Sequence, residues 1–234
     1  MLKQAGNVFL HSGWCFWFDD ELKPLGTEAE RLVDMMNLVS RLKYGNTNTF
    51  FIRGTSGGLL VDTDYAGTLP LFYKELKKNA IRLSDITYVL ATHYHPDHMG
   101  LVSELMQLGV KLLLLDTQVE YVHFSDEIFR REKRTEYMPI EENEAVLVKW
   151  EESRTFLHDV GIEGEIISTP SHSNDSVSLI LDNGTCFVGD LEPINYLDAY
   201  EENEKLKEDW KLIMSYDPKI IYYAHANENI VDDI

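Results

Sequence analysis

The ten residues Ala91–Gly100, ATHYHPDHMG, narrow what this chain can fold into more than any other stretch. Four metal-capable side chains, His93, His95, Asp97 and His98, fall within six positions. Upstream, Ile86–Thr92 is apolar and β-branched over strand length. Downstream, Leu101, Val102, Leu105 and Leu108 recur with helical period as far as Gly109. The cluster therefore falls on a strand-to-helix turn. Strand side chains repeat every two residues, so His93 and His95 are expected to point the same way off the strand end. Pro96 ends the strand, and Asp97 and His98 follow in the turn, aimed at a second point. Asp97 also lies near a helix N-terminus, which favours a carboxylate. One short segment can thus supply two neighbouring cations. Three imidazoles this close repel one another when protonated, whereas neutral rings are good ligands for zinc or iron.

THYHPDHMG resembles the signature of the metallo-β-lactamase superfamily, and four later motifs extend the likeness. They are Leu59-Leu-Val-Asp62, Thr169-Pro-Ser-His172, Phe187-Val-Gly-Asp190 and Tyr222-Tyr-Ala-His225. Taken singly, His172 and His225 read as structural or surface histidines, and Asp62 and Asp190 as turn residues. Together and in this order they complete the pattern. The resemblance implies that His93, His95 and His172 hold one metal and Asp97, His98 and His225 the other. Asp190 would bridge the two. Asp62 would orient a ligand, and Asp97 would also hold the attacking hydroxide or take its proton. Two ions, zinc most simply and manganese or iron otherwise, would then supply a bridging hydroxide near neutral pH.

The implied activity is hydrolysis of a small ester, thioester or lactone. Asp190 stands where many true β-lactamases of the family have Cys, which argues against antibiotic hydrolysis. The same site would serve a phosphodiester or phosphonate. Other readings of the fold are a mononuclear iron dioxygenase of the persulfide-oxidising kind, a flavodiiron-type redox domain and an inactive scaffold. Against the redox domain, position 95 is His where those proteins tend to carry Glu. Against the scaffold, the ligand set is complete.

Charge narrows the partners. The chain has 21 Lys and Arg against 40 Asp and Glu, a formal charge of −19 in 234 residues. Phosphate neutralisation drives nucleic-acid binding, so nucleic acid is disfavoured, as are anionic membrane surfaces. A small-molecule substrate is the expected partner. No run approaches about 18 apolar residues, the length of a membrane span. The opening stretch is broken by Asn7, His11 and Ser12 and lacks a signal-peptide layout. Cys15 and Cys186 both sit in apolar runs as small hydrophobes, with no disulfide framework indicated. The expectation is a cytoplasmic enzyme.

The remaining pattern gives an α+β chain, a four-layer αββα sandwich of the metallo-β-lactamase type, as the resemblance also implies. An aromatic strand is expected at residues 7–18 and a capped helix from Thr27–Glu30 toward Met36. A β-meander runs from Asn37 to Asp62, followed by a helix over Thr68–Ala80 and a strand over Val110–Leu115. Strands at Glu165–Ser168, Val177–Asp182 and Thr185–Gly189 follow, the last two joined by an Asn183-Gly184 type I′ hairpin. A helix over 203–216 and a strand over Lys219–Ala224 close the pattern. We read one domain, 1–234, with a helical rim or lid inserted at about 117–160. Trp14, Trp17, Tyr44, Phe124, Tyr137, Tyr196 and Tyr200 would suit an apolar acyl or aryl group, and Tyr196 could donate to a substrate oxygen.

Overall fold

Three short apolar runs separated by glycine-bearing turns build the first sheet, as a meander should. β1 (Val39–Lys43), β2 (Asn48–Arg53) and β3 (Gly58–Val61) pair antiparallel in sequence order. The computed structural model describes residues 38–200 and 202–231. The expected strand at 7–18, with Trp14, Cys15 and Trp17, and the helix opening at Thr27–Glu30 lie outside them.

After β3 the chain forms α1 (Leu69–Lys78), with a proline in its first turn, Lys77 and Lys78 in its last turn, and Phe72 and Leu76 buried. It returns as β4 (Tyr88–Leu90), parallel to β3. Two short helices, α2 (Pro96–Met99) and α3 (Val102–Gln107), lead to β5 (Lys111–Leu115), parallel to β4. A 3-10 turn at Asp116–Tyr121 and α4 (Asp126–Arg131) precede β6 (Val146–Val148), which adds to β5 in parallel. The segment expected as a rim therefore divides. Its second half supplies β6 and α5 (Ser153–Val160), and Val148, Leu157 and Val160 are core residues. The sequence signal for β6 is only three residues long, too short for its periodicity to stand out.

The second sheet contains β7 (Gly164–Ser168), β8 (Val177–Leu181), β9 (Thr185–Phe187), β10 (Ile220–Tyr222) and β11 (Asn229–Ile230), in the order β11-β10-β9-β8-β7. β11 was not expected. The β8–β9 loop is also not a type I′ turn. Gly184 has φ +89° but Asn183 is not in the left-handed region, and Gly184 N–H donates to Leu181 O at 2.9 Å. The loop is thus a three-residue hairpin in which glycine takes the bulge position. α6 (Glu204–Met214) crosses from β9 to β10, with the Asn203 side chain accepting from Leu206 N–H at 3.1 Å.

Three apolar layers separate four structural ones. Phe72, Leu76, Leu105 and Phe129 pack helices onto the outer face of the first sheet. Between the sheets, Phe50, Phe187 and Tyr222 meet with ring centroids 5.0–5.3 Å apart, and each such pair contributes about 0.5–1.5 kcal/mol beyond its buried area. Leu206, Trp210 and Ile213 pack α6 on the far face. This is the expected αββα sandwich. Cys186 is fully buried, and burial pushes its thiol up to about 12, so it behaves as a packing residue. No helix among the described residues is long and apolar enough to cross a membrane.

Candidate metal centre

The site begins where the strands stop. β4 is shorter than its apolar run because Thr92 leaves the ladder: its N–H donates to Asp62 Oδ1 at 2.7 Å, and its carbonyl accepts from Val177 N–H of the other sheet at 2.9 Å. Residues 91–95 therefore step across from one sheet to the other. His93 and His95 converge through that turn rather than through strand pleating, with Nε2 of His93 2.9 Å from Nδ1 of His95. Asp97 and His98 lie on the four-residue helix α2, which Pro96 opens, rather than in a loop. Asp62 follows β3, His172 follows β7, Asp190 follows β9 and His225 follows β10.

All eight expected residues come together. His172 Nε2 lies 3.2 Å from His95 Nδ1. On the opposite side, His225 Nε2 lies 3.1 Å from Asp97 Oδ2. Asp190 stands between them. Its Oδ1 faces His98 Nε2 at 3.3 Å and His225 Nε2 at 3.2 Å, while its Oδ2 faces His172 at 3.8 Å and His93 at 4.0 Å. Asp62 is buried in the left-handed region (φ 59°), accepts from both Thr92 N–H and Thr92 Oγ1, and lies 3.1 Å from His98 Nδ1. It does not reach the centre, which suits an orienting carboxylate. Gly189 (φ +57°) admits this packing, since a Cβ there would meet Thr92 Oγ1 at 2.4 Å.

The donor set fits cations. Three groups of side chains each converge within 4.8 Å: His93, His95 and His172; His93, His98 and Asp190; Asp97, His98 and His225. An ion bound tetrahedrally to nitrogen at about 2.0–2.1 Å sets its ligand atoms about 3.3 Å apart, near the 2.9 and 3.2 Å found at His95. His98 Nε2 and Asp190 Oδ1 are buried and lack a well-formed hydrogen bond, which a bound ion would remedy.

Charges divide accordingly. Burial, then the facing His98, His95 and His172, holds His93 well below the ordinary imidazole range, and burial and His172 lower His95. Burial opposes charge on His98, yet Asp62 and Asp190 outweigh it and raise its pKa to about 10. Burial also opposes charge on Asp97, but His225 and His98 prevail and hold its carboxyl at about 2. Asp190 is likewise lowered, His98 overcoming burial, and His225 is raised, chiefly by Asp97. Burial and the neighbouring rings thus disfavour charge on His93 and His95, while the carboxylates of Asp97 and Asp190 stay ionised beside them, a combination that favours a bound cation.

Sequence reasoning missed the residues that brace these ligands. Thr47 Oγ1 donates to Asp97 O at 2.8 Å, and Asn48 Nδ2 donates to Tyr223 O and Ala226 O at 2.9 and 3.0 Å, on either side of His225. Gln118 is fully buried, and its Nε2 lies 3.0–3.3 Å from the carbonyls of Ala91, Thr92 and Asp175. Asp175 Oδ2 accepts from Tyr94 N–H at 2.7 Å, and Asp209 Oδ2 accepts from Ser171 N–H at 2.8 Å. In sequence, Thr47 and Asn48 look like turn residues and Gln118 like part of a solvated connection. Only their distant backbone partners reveal the role, and no local pattern encodes those. Of the aromatic candidates, Phe124 reaches the site, its ring 5.4 Å from that of His95. Tyr44 and Tyr137 pack into the first sheet's outer core, and Tyr196 is 61% exposed.

A family model described as the metallo-beta-lactamase superfamily matches residues 42–225. Among curated proteins, an atrochrysone carboxyl ACP thioesterase of Aspergillus aculeatus is 25% identical over 187 residues, covering 74% of this chain and 52% of that one. A sequence named as diflavin flavoprotein A 2 in Synechocystis sp. is 27% identical over 99 residues, 42% of this chain and 17% of that one. The chain thus spans about half, or much less, of these relatives' lengths. Among solved structures, a metallo-beta-lactamase family protein from Thermus thermophilus superposes with a TM-score of 0.56 at 19% identity, covering 82% of this chain and 73% of that one.

Proposed function

Since the chain belongs to the metallo-beta-lactamase superfamily, we propose that it is a metal-dependent hydrolase whose centre holds two divalent ions and cleaves a small ester, thioester or lactone. The observation that carries this reading is Asp190, whose two oxygens face two separate ligand groups. His93, His95 and His172 would hold one ion, and Asp97, His98 and His225 the other, with Asp190 shared. Two divalent cations held there would lower the pKa of a bound water and polarise the oxygen of the scissile group. Zinc suits the imidazole-rich set, and manganese or iron is compatible with it.

The chain's own residues do the rest. The Asp97 carboxylate is ionised well below neutral pH and faces His225, so it can accept a hydrogen bond from a water and orient it. Asp62 faces the His98 ring at 3.1 Å and, through Thr92, holds the start of the turn that carries His93. The sandwich walls keep His93 and His98 out of water, which strengthens every charge interaction between them. No serine or cysteine nucleophile is needed: the only described cysteine, Cys186, is buried away from the cluster. The thioesterase likeness supports the acyl class of substrate.

The likeness to a diflavin flavoprotein favours a second reading, a redox centre in the same ligand pocket. Elemental analysis of the purified protein together with thioester turnover separates the two. Two zinc or manganese ions per chain with hydrolysis support the proposal. Two irons per chain, oxygen or peroxide turnover and no hydrolysis overturn it.

A further inference from the structure

Two cavities open on the cluster among the described residues, and they differ in charge. One, of about 280 Å³, has Asp190, Glu192, Tyr223 and His225 in its lining and no Lys or Arg. The other, of about 380 Å³, is lined by His95 and His172 of the cluster together with Tyr121, Phe124 and Lys205, the last in the first turn of α6. Phe124 is 53% exposed and lines this cavity. Its ring lies at an angle of 41° to that of His95, so it leaves an apolar face beside a candidate ligand. Lys205 is the only Lys or Arg lining either cavity, in a chain of net charge −19. Glu204 and Glu208 flank it on α6, and Asp209, which feels the Lys205 charge, also accepts from Ser171 N–H.

We propose that this second cavity selects a substrate with one arm that is apolar next to the scissile carbonyl and ends in a carboxylate, with Phe124 and Lys205 as specificity-determining residues. The inference rests on the hydrolase reading above. In the reaction, water adds its oxygen to the acyl carbon and the C–S or C–O bond breaks. The leaving thiol or alcohol departs with a proton, and the acid keeps the oxygen. Phe124 packs against the methylenes of the arm, and the Lys205 ammonium meets its terminal anion. An exposed ion pair of this kind gives about a fivefold preference, and salt screens it.

The test uses two matched pairs of thioesters on the zinc-loaded protein. Adipoyl is compared with hexanoyl on thiophenol, and 6-mercaptohexanoate with hexanethiol as the leaving arm of an acetyl thioester. The expected result is that one pair favours the carboxylate member in kcat/KM by about three- to fivefold. That ratio falls to about one in Lys205→Met and at high salt, and recovers in Lys205→Arg. Phe124→Ala raises KM for both members of that pair by about fivefold or more, with less change in kcat. If neither pair shows a preference, or the ratio survives Lys205→Met, the proposal is overturned. Calorimetric binding of adipate and hexanoate is read alongside. With no thioester cleaved, tighter adipate binding that is lost in Lys205→Met keeps the anion-selective arm and sinks only the hydrolase reading. Equal binding with no cleavage sinks both.

Discussion

The imidazole side of the centre (His93, His95, His172) and the carboxylate side (Asp97, His98, His225) are braced from opposite directions. On the imidazole side, Gln118 and Asp175 grip the turn at 91–94 and the loop at 175, and Asp209 of α6 grips the loop before His172. On the carboxylate side, the β1–β2 turn does the work: Thr47 reaches the backbone of Asp97, and Asn48 reaches both flanks of His225. Thr63 adds a third brace, its N–H and Oγ1 both donating to His98 O at 2.9 and 3.0 Å. One side thus draws on the long β5–β6 connection, the β7–β8 loop and α6, the other on the β1–β2 hairpin and the loop after β3. The two halves should therefore be separable by mutation although their ligands share Asp190.

The largest expected effect comes from a ring on the imidazole side that also converges with His98 and Asp190. His93→Ala takes out a ring that belongs to two of the three convergent groups. Metal content by elemental analysis should fall together with turnover, activity by about a thousandfold or more, the scale of losing a central catalytic element. Unchanged turnover in this variant sinks the mechanism. Next comes Asp62→Asn, which keeps the shape but loses the charge facing His98 and an acceptor for Thr92. Activity should drop about 10- to 100-fold, the usual effect of losing a ligand's outer partner, with much of the metal retained.

The comparison itself is tested by two smaller changes. Asn48→Ala leaves the carbonyls of Tyr223 and Ala226 without that donor and should weaken the ion on the carboxylate side by about tenfold, leaving the other near its original affinity. Gln118→Leu should do the reverse. It would also cost about 1–3 kcal/mol of stability, because buried carbonyls lose their partner. Stepwise chelator competition on the cobalt-substituted protein reads the two affinities separately. If both variants weaken both ions equally, the halves are not independently braced.

How much of this could be seen in the sequence follows from how local each signal is. His93, His95, Asp97 and His98 announce themselves because they crowd into one turn. His172, Asp190 and His225 needed the family pattern, since each alone reads as an ordinary residue. The strand-to-helix layout of residues 86–109 was legible from periodicity, but β4 ends at Leu90, earlier than its apolar run, because Thr92 turns to Asp62 and Val177 instead. That decision is made by partners 30 and 85 positions away. The same holds for Asn48, whose contacts lie more than 170 positions along the chain, and for β6, which forms because β5 offers an edge. Composition and periodicity report what a segment prefers, whereas these features record what lies across from it.

The step of residues 91–95 from one sheet to the other has a mechanical consequence. His93, His95, Asp97 and His98 are carried by the first sheet, and His172, Asp190 and His225 by the second. Two of the three ligand groups contain only these first-sheet residues plus His172 or His225, and the third adds Asp190, so every group spans the seam. An ion seated there acts as a rivet between two plates that otherwise meet through apolar contact and a few hydrogen bonds such as those of Thr92 and Asn48. Sliding of the plates must tear its coordination, so free metal concentration sets how firmly the sandwich is fastened at that edge, by RT ln(1 + [M]/Kd). The centre that would perform the reaction is also the fastener that holds its own walls in register.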